Sequence, residues 1–279
     1  MESFQVIQPS GLLAPYVKQY WFLTMDNVKN GCQRLIPFGC VALTFQREGQ
    51  TRFLNDGVLS PSSLSGQSEV YQNLVYSGNI NFISVIFQPA GAMAFFDIPM
   101  AKLNNRQIAL DVLNDSKLLE LEKKLHDITD NKICASLLEE FLLKRINCFE
   151  SYNYKRLSAV IKNLNRGEND ISILAQTACL GYKQFKRIFS ENIGINPKNY
   201  LRICRFKRAS YTLQIDPQIT LSDLSEECGY HDKSHLIKEF KEFSGYSPGE
   251  FLSVCDPYSD YHSLFRSAFI DSYTNQIIN

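Results

Sequence analysis

Hydrophobic and polar positions follow two different periods along the chain. Up to about residue 96, short apolar runs alternate with turn residues. Residues 41–45 and 80–87 are rich in β-branched and aromatic side chains, and Gly49, Gly78 and Pro89 are among the residues that separate such runs. From residue 114 to 148 the apolar positions recur at helical spacing, and this period continues through residues 152–254. The pattern predicts an α+β protein with a β-rich N-terminal part of short strands and one or two helices, followed by an all-α C-terminal part.

The length of 279 residues favours more than one domain. We expect a β-rich regulatory domain over residues 1–150 and a helical domain over residues 151–255. A C-terminal tail over residues 256–279 contains Ser and Tyr residues and a short apolar patch at residues 264–270.

An imperfect internal repeat occupies the helical half. The first copy covers residues 174–200 and the second covers residues 224–251. Four positions recur at the same intervals: Phe189, Gly194, Pro197 and Tyr200 in the first copy, and Phe240, Gly245, Pro248 and Phe251 in the second. Each copy has a short amphipathic helix, a tight turn, a second amphipathic helix and a glycine stop. This order predicts two helix-turn-helix units.

Local capping signals place the first helix of each unit. Asp170 can cap a helix over residues 171–179 by accepting backbone N–H groups at its start. Thr220 and Asp223 form a capping-box pattern before residues 221–228. Gly229 can adopt positive φ in the second turn.

The second helix of each unit has an apolar face and a polar face. In residues 182–193 the inward positions are Phe185, Ile188 and Phe189, and the outward positions are Lys183, Lys186 and Arg187. In residues 232–243 the inward positions are Leu236, Phe240 and Phe243, and the outward positions are Ser234, Lys238 and Lys241, with Lys233 in the first turn. A cationic outer face is what a recognition helix needs in the major groove.

Charge is unevenly distributed, although the whole chain has a formal net charge of zero. Residues 155–215 contain 12 Lys and Arg against 3 acidic residues, a net charge of +9, and residues 216–254 contain 3 lysines against 8 acidic residues, a net charge of −5. We therefore expect the first unit to anchor to phosphates and the second to add weaker, more sequence-dependent contacts. Residues 197–213 form a predicted linker helix that would hold the recognition helices about one DNA turn, roughly 34 Å, apart.

Residues 152–252 resemble the AraC/XylS family of transcription regulators, most clearly in the segment GYHDKSHLIKEFKEFSGYSP at residues 229–248. The resemblance implies a seven-helix domain that places each recognition helix in a major groove of double-stranded DNA. Cys179 departs from the glycine that is usual in the first turn, and Ser225 departs from the usual alanine. The candidate DNA-binding residues are Lys183, Lys186, Arg187, Arg202, Lys233, Ser234, His235 and Lys238. Of these, His235 either contacts a phosphate or packs and hydrogen-bonds at the start of its helix.

Residues 14–23, 35–45 and 87–99 resemble a sensor-type β domain, of cupin-like or barrel form, that precedes such DNA-binding halves. The resemblance implies effector binding or dimerisation by analogy alone. Beside DNA, the candidate partners are a small-molecule effector, RNA polymerase and a second copy of the chain. Effector-binding residues are unassigned, because the aromatic residues of this half either fill its core or line a pocket: Tyr16, Tyr20, Trp21, Phe45, Phe82 and Phe87.

Enzymatic alternatives lack the residues that they require. His126 is the only histidine in residues 1–150, which disfavours a metalloenzyme site or a histidine-dependent nucleophile there. A DNA-repair methyl acceptor needs an activated cysteine, and no basic cluster surrounds Cys32, Cys40 or Cys134 in sequence. We expect no catalytic residues, metal or cofactor. An adaptor whose N-terminal domain binds a protein partner remains the alternative function.

The cysteines and the N-terminus indicate a reducing, cytoplasmic location. The eight cysteines are scattered singly, and Cys179 and Cys228 fall within helical patterns that predict small buried side chains. The first residues show no signal-peptide pattern, and the apolar runs are too short for a transmembrane helix. No membrane partner is expected.

Overall fold

The computed structural model describes residues 2–53, 57–58, 62–146 and 152–254. The N-terminal part is built on β-strands, as predicted. They are β1 (Glu2–Ile7), β2 (Val17–Leu35), β3 (Ala42–Phe53), β4 (Gly57–Val58), β5 (Ser62–Ser65), β6 (Gln72–Phe87) and β7 (Gln107–Ala109). Within the described residues they form one antiparallel sheet in the order β1-β2-β6-β3-β5-β7, with β4 paired to β3.

Three of the strands are long, and the prediction of short strands was wrong for them. β2 has 19 residues, β3 has 12 and β6 has 16. Gly49 and Gly78, which the sequence suggested as strand ends, lie inside β3 and β6 with φ of 92° and 84°. The register between strands shifts beside both glycines. They therefore act at β-bulges, where glycine accommodates an extra residue without ending the strand.

The two faces of the sheet have different partners, and both carry apolar side chains. One face packs against the helices α1 (Ser116–His126) and α2 (Asn131–Ile146) in an apolar core. The sheet contributes to that core Val17, Tyr20, Phe22, Leu43, Phe45, Leu64, Ile83, Val85 and Phe87. The other face carries a row of directly paired residues across four strands, Trp21, Ser84, Thr44 and Ser63. Ser63 and Ser84 are buried.

The C-terminal part is helical, as predicted. Its helices are α3 (Tyr152–Asn165), α4 (Ile171–Thr177), α5 (Tyr182–Ile193), α6 (Pro197–Ile215), α7 (Leu221–Glu227), α8 (Lys233–Ser244) and α9 (Pro248–Val254). One apolar core joins both repeats, with Phe185, Phe189, Leu236 and Phe240 fully buried in it. The sequence prediction for these four residues is confirmed.

The N-terminal sheet domain packs on this helical core. Ala90 is buried in the helical core, and Ile36 and Met93 pack against it. The rings of Tyr16 and Tyr154 lie 4.5 Å apart between centroids, and the Tyr154 hydroxyl donates to the Pro15 carbonyl. The predicted domain boundary near residue 150 and the tail at residues 256–279 fall outside the described residues. Those boundaries stay predictions.

Candidate nucleic-acid interface

The first helix-turn-helix consists of α4, a turn and α5. Asp170 caps α4, because its Oδ1 accepts from the backbone N–H of Ser172 at 2.6 Å. Phe185, Ile188 and Phe189 are buried on one side of α5. The other side is exposed, and it carries Lys183, Lys186 and Arg187.

The turn of the first unit corrects one expectation. Cys179 lies after the end of α4, is exposed, and has φ of 51°. It is therefore not a buried helical residue. The equivalent turn of the second unit has Gly229 with φ of 74°. A turn of this shape needs one residue in the left-handed region, which glycine adopts without steric cost and cysteine does not.

The second unit repeats the arrangement with α7 and α8. Thr220 and Asp223 form the predicted cap of α7, in which the Thr220 Oγ1 accepts from the Asp223 N–H at 3.2 Å and donates to the Asp223 Oδ2 at 2.6 Å. Asp232 caps α8 by accepting from the His235 N–H at 2.8 Å. Lys233, Ser234 and Lys238 are exposed on α8 opposite its buried face.

Ser225 is tolerated in place of the usual alanine. The side chain is buried, and its hydroxyl donates to the Ser222 carbonyl at 2.8 Å within α7. The polar atom is thereby satisfied inside its own helix.

Two exposed cations of α5 already have partners on the same helix. The Arg187 guanidinium donates to both oxygens of Glu191, at 2.9 and 3.1 Å. The Lys186 ammonium lies 5.6 Å from the centroid of the Tyr182 ring. Pairs of this kind on a solvated face are worth little, so both cations can be redirected towards an anion at small cost.

Arg202 and His235 lie in a different environment from the other candidates. Arg202 donates through Nε to Glu239 at 2.7 Å and through Nη2 to Glu242 at 2.6 Å, and its side chain is 25% exposed. The His235 Nε2 lies 3.3 Å from the Glu239 Oε1, and its ring meets Tyr230 edge-on. Arg202 therefore joins α6 to α8, whereas His235 pairs within α8 and packs on the turn before it. Whether either one also touches DNA stays a prediction.

Glu239 is the centre of this network, and the sequence reasoning missed it. Its side chain is 2% exposed and also accepts from Arg205, at 2.7 and 3.2 Å. Burial alone would raise the pKa of Glu239, but the hydrogen bonds and charges of Arg205 and Arg202 outweigh burial and hold that pKa below its usual value. The opposite net charges of residues 155–215 and 216–254 were the available signal. Arg202 and Arg205 of α6 neutralise the carboxylates of Glu239 and Glu242 on α8.

The linker α6 runs unbroken from Pro197 to Ile215, as predicted to within two residues. Asn196 caps it by accepting from the Asn199 N–H at 3.0 Å, and proline at the first helical position fits because its missing N–H would have no partner there.

The three cysteines weighed for a methyl-acceptor alternative lie in different surroundings. Cys40 and Cys134 are buried, and Cys32 is exposed. Burial raises the pKa of the Cys134 thiol, which disfavours the reactive thiolate. Among the described residues no group of His, Cys, Asp and Glu side chains has the arrangement of a metal site. Within the same ranges no helix has both the length and the apolar character to span a bilayer.

Comparison with known proteins agrees with this geometry. A helix-turn-helix domain model of the AraC type matches residues 174–253, and a model described as a domain of unknown function (DUF6597) matches residues 5–109. An uncharacterised HTH-type transcriptional regulator of Haemophilus influenzae is 29% identical over 144 residues, which are 51% of this chain and 44% of that protein. The Msm operon regulatory protein of Streptococcus mutans is 25% identical over 123 residues, 43% of this chain and 44% of that protein. The matches thus span less than half the length of either relative.

A solved structure of ToxT from Vibrio cholerae shares 10% identity, with 91% of this chain and 99% of that chain covered and a TM-score of 0.46. At that identity and score the similarity assigns no function. The family assignment depends instead on the matched domain and on the two capped units with buried inner faces. Residues 174–253 of this chain form a helix-turn-helix domain of the AraC type.

Proposed function

We propose that this chain is a sequence-specific transcription regulator that places α5 and α8 in successive major grooves of double-stranded DNA. The observation that carries the proposal is the division of both helices into a fully buried apolar face and an exposed face of cations. A helix held by its inner face and bare on its outer face is the docking element of helix-turn-helix proteins.

Within this proposal the exposed side chains divide into two groups. Lys183, Lys186 and Arg187 lie on the more positive unit and supply phosphate contacts and base contacts on purine edges. Lys233, Ser234 and Lys238 supply the contacts of the second unit. Arg202 and His235 act chiefly by holding α8 in place, and only the exposed parts of their side chains reach a phosphate.

The N-terminal domain is proposed to bind a small-molecule effector on the sheet face that carries Trp21, beside the apolar cluster of Leu23, Met25 and Ile80. The row of Trp21, Ser84, Thr44 and Ser63 carries polar groups, of which the Thr44 and Ser84 hydroxyls pair with each other at 2.8 Å and the Trp21 Nε1 donates to the Gln19 Oε1 at 3.1 Å. Among the described residues, the Gln19 Nε2 on the same face is buried and has no hydrogen-bond partner. A ligand with a hydrogen-bond acceptor would satisfy it.

The remaining partners belong to the same proposal. The regulator would act in the cytoplasm, contact RNA polymerase at its promoters, and form homodimers where operators are repeated. We assign no described residue to polymerase contact or dimerisation.

The test of DNA binding is genome-wide footprinting with the purified chain on DNA of its source organism. The wild type is expected to give discrete peaks, and the Lys186→Ala/Arg187→Ala double variant is expected to lose them. Lys123→Ala/Lys124→Ala is the matched control, because it removes the same charge from exposed positions of α1. Equal loss in the control would indicate a nonspecific charge effect. Unchanged peaks in the folded test variant would reject the assignment of α5.

The effector is tested by a thermal-shift screen of metabolites with wild type and Gln19→Leu. A metabolite that stabilises the wild type and not the variant supports the proposed site. No shift with any metabolite, together with specific capture of one protein by the N-terminal domain, would favour the adaptor function instead.

A further inference from the structure

Both recognition helices end on a glycine that touches the N-terminal domain. Gly194 follows α5 and Gly245 follows α8, with φ of 104° and 76°. A Cβ built on Gly194 would lie 3.2 Å from the Gln67 Cγ and 3.2 Å from the Met100 carbonyl oxygen. A Cβ built on Gly245 would lie 2.5 Å from the Arg34 Nη1. The two equivalent positions of the repeat are therefore both in close contact with the sheet domain.

Arg34 of β2 holds the end of α8. Its Nη1 donates to the Ser244 carbonyl at 3.1 Å, and its Nε donates to the Asn73 Oδ1 at 2.9 Å. The guanidinium also lies between two rings, 4.5 Å from the centroid of Tyr71 and 4.4 Å from that of Tyr246. A cation is favoured at the C-terminal end of a helix, and the two rings fix the plane of the guanidinium.

A separate set of contacts holds the first unit and the linker. The Glu69 carboxylate accepts from the Asn104 Nδ2 at 2.7 Å on the sheet domain and from the Asn199 Nδ2 at the start of α6. Farther along α6, the Lys207 Nζ donates to the Phe38 carbonyl at 3.0 Å. The sheet domain thus contacts the end of α5 and the start of α6 through residues 67–104, α6 again through Phe38, and the end of α8 through Arg34.

These contacts leave the DNA-facing parts of both helices open. Each recognition helix has 12 residues, which span about 18 Å at the α-helical rise. Lys183 and Lys233 lie in the first turns, whereas Gly194 and Gly245 lie just past the last. Since the N-terminal residues of a recognition helix contact the bases, the sheet domain can keep its hold while DNA is bound.

We propose that the N-terminal domain acts as a bracket that sets the distance between the two recognition helices, with Arg34 as the positioning residue for α8. The inference rests on the proposed function. On its other side α8 is attached to α6 through Glu239 and Glu242, and Arg34 adds an attachment from the sheet domain at the end of the same helix. The bracket therefore sets the spacing of the two half-sites, each being the DNA segment that one unit contacts.

The test measures binding of the full chain to operators whose half-sites are separated by spacers differing by single base pairs. Half-sites come from sequences that the wild type enriches from a random library. The wild type is expected to prefer one spacing. Because one helix-end contact and two ring contacts are lost, Arg34→Ala is expected to reduce that preference by about tenfold while enriching the same half-sites.

Matched variants separate positioning from folding. Arg52→Ala removes an exposed arginine from β3 of the same domain and is expected to keep the wild-type spacing. Tyr246→Leu removes one of the two rings and is expected to weaken the preference, whereas Tyr246→Phe retains the ring and is expected to restore it. The two Tyr246 variants provide the test if Arg34→Ala does not fold.

The outcomes are distinguishable. A relaxed spacing preference in folded Arg34→Ala or Tyr246→Leu, with half-site sequences unchanged, supports the bracket. Wild-type spacing in both folded variants overturns it and leaves the proposed function intact. Failure of the wild type to enrich any sequence overturns the proposed function, and the bracket with it.

Discussion

Cys179 occupies a backbone conformation that costs an L side chain free energy. Left-handed φ is unfavourable for non-glycine residues by about 1–2 kcal/mol, while glycine adds some entropy to the unfolded chain. Since the side chain of Cys179 is exposed, little packing compensates.

We therefore expect Cys179→Gly to raise the free energy of unfolding of the helical domain by about 1 kcal/mol. Gly229→Ala, the reciprocal change in the second unit, should lower it by a similar amount. Urea denaturation, monitored by the circular dichroism signal of the helices, measures both changes in the free energy of unfolding. A destabilised Cys179→Gly would show that the thiol makes a contact worth more than the backbone strain.

The buried carboxylate of Glu239 predicts a pH dependence of stability. Its pKa in the folded chain lies below the usual value, so the unfolded chain binds the proton more tightly. The stabilisation is present above the ordinary glutamate pKa of about 4.3 and is lost as the pH falls through that value and then through the folded pKa.

Glu239→Gln should flatten this acid dependence and reduce stability near neutral pH by about 1.5–3 kcal/mol, the usual value of hydrogen bonds to charged groups. Unfolding midpoints between acid and neutral pH test this expectation. Glu227→Gln on the exposed side of α7 is the control and should leave the slope as in the wild type. Equal slopes in wild type and Glu239→Gln would mean that other carboxylates dominate.

At the scale of single elements, α5 is expected to supply the strongest DNA contacts. Replacing Lys183, Lys186 or Arg187 by alanine should each weaken operator binding, by about 1–3 kcal/mol where the side chain pairs with a base edge. Where it contacts only a phosphate, the loss should be uniform across sequences and the salt dependence should fall by about one unit of slope. Titrations at several salt concentrations distinguish the two cases. Unchanged affinity in all three folded variants would contradict the role of α5.

Helices were more predictable than strands because their end signals are local. Each of these signals acts within a few residues of its own position. α4 begins after Asp170, α7 begins after Thr220, and the second turn forms at Gly229. Gly49 and Gly78 carry the same local signal as a strand end, but pairing with neighbouring strands turns them into bulges. Pairing partners lie far away in sequence, so periodicity alone could not distinguish these outcomes.

The exposed cations of α5 and α8 could be assigned from spacing alone, whereas the surroundings of Arg202 could not. A helical period shows which residues share a face, and burial of the opposite face then follows for Lys186 or Lys238. The partner of Arg202 is on a helix more than thirty residues away. Only the fold shows that this arginine meets Glu239 rather than open solvent.

For the whole molecule, the contact between the domains predicts the behaviour of a fragment of residues 152–254. The N-terminal domain covers Tyr200 and Ile203, because a Cβ on Gly39 would lie 3.4 and 3.8 Å from their side chains. The fragment exposes this apolar surface. We expect it to unfold at a lower temperature than the same helices in the full chain, yet to bind the same half-sites more weakly.

Thermal unfolding and DNA titration of the fragment and the full chain measure this difference. If the fragment unfolds at the same temperature as the full chain, the contact between the domains contributes little to the stability of the helices. A folded fragment without DNA binding would show that the N-terminal domain supplies part of the DNA site or a dimer contact.

The two repeats are joined in one chain but present different outer faces. α5 carries Lys183, Lys186 and Arg187, whereas α8 carries Lys233, Ser234, Lys238 and Lys241 at different positions along the helix. A regulator that binds as proposed therefore has a defined orientation along the double helix. Its recognition sequence has no need of palindromic symmetry, and a reversed sequence is a different site. Inverting the operator beside a fixed promoter would turn the N-terminal domain towards the opposite flank, so orientation as well as position would determine the regulatory output.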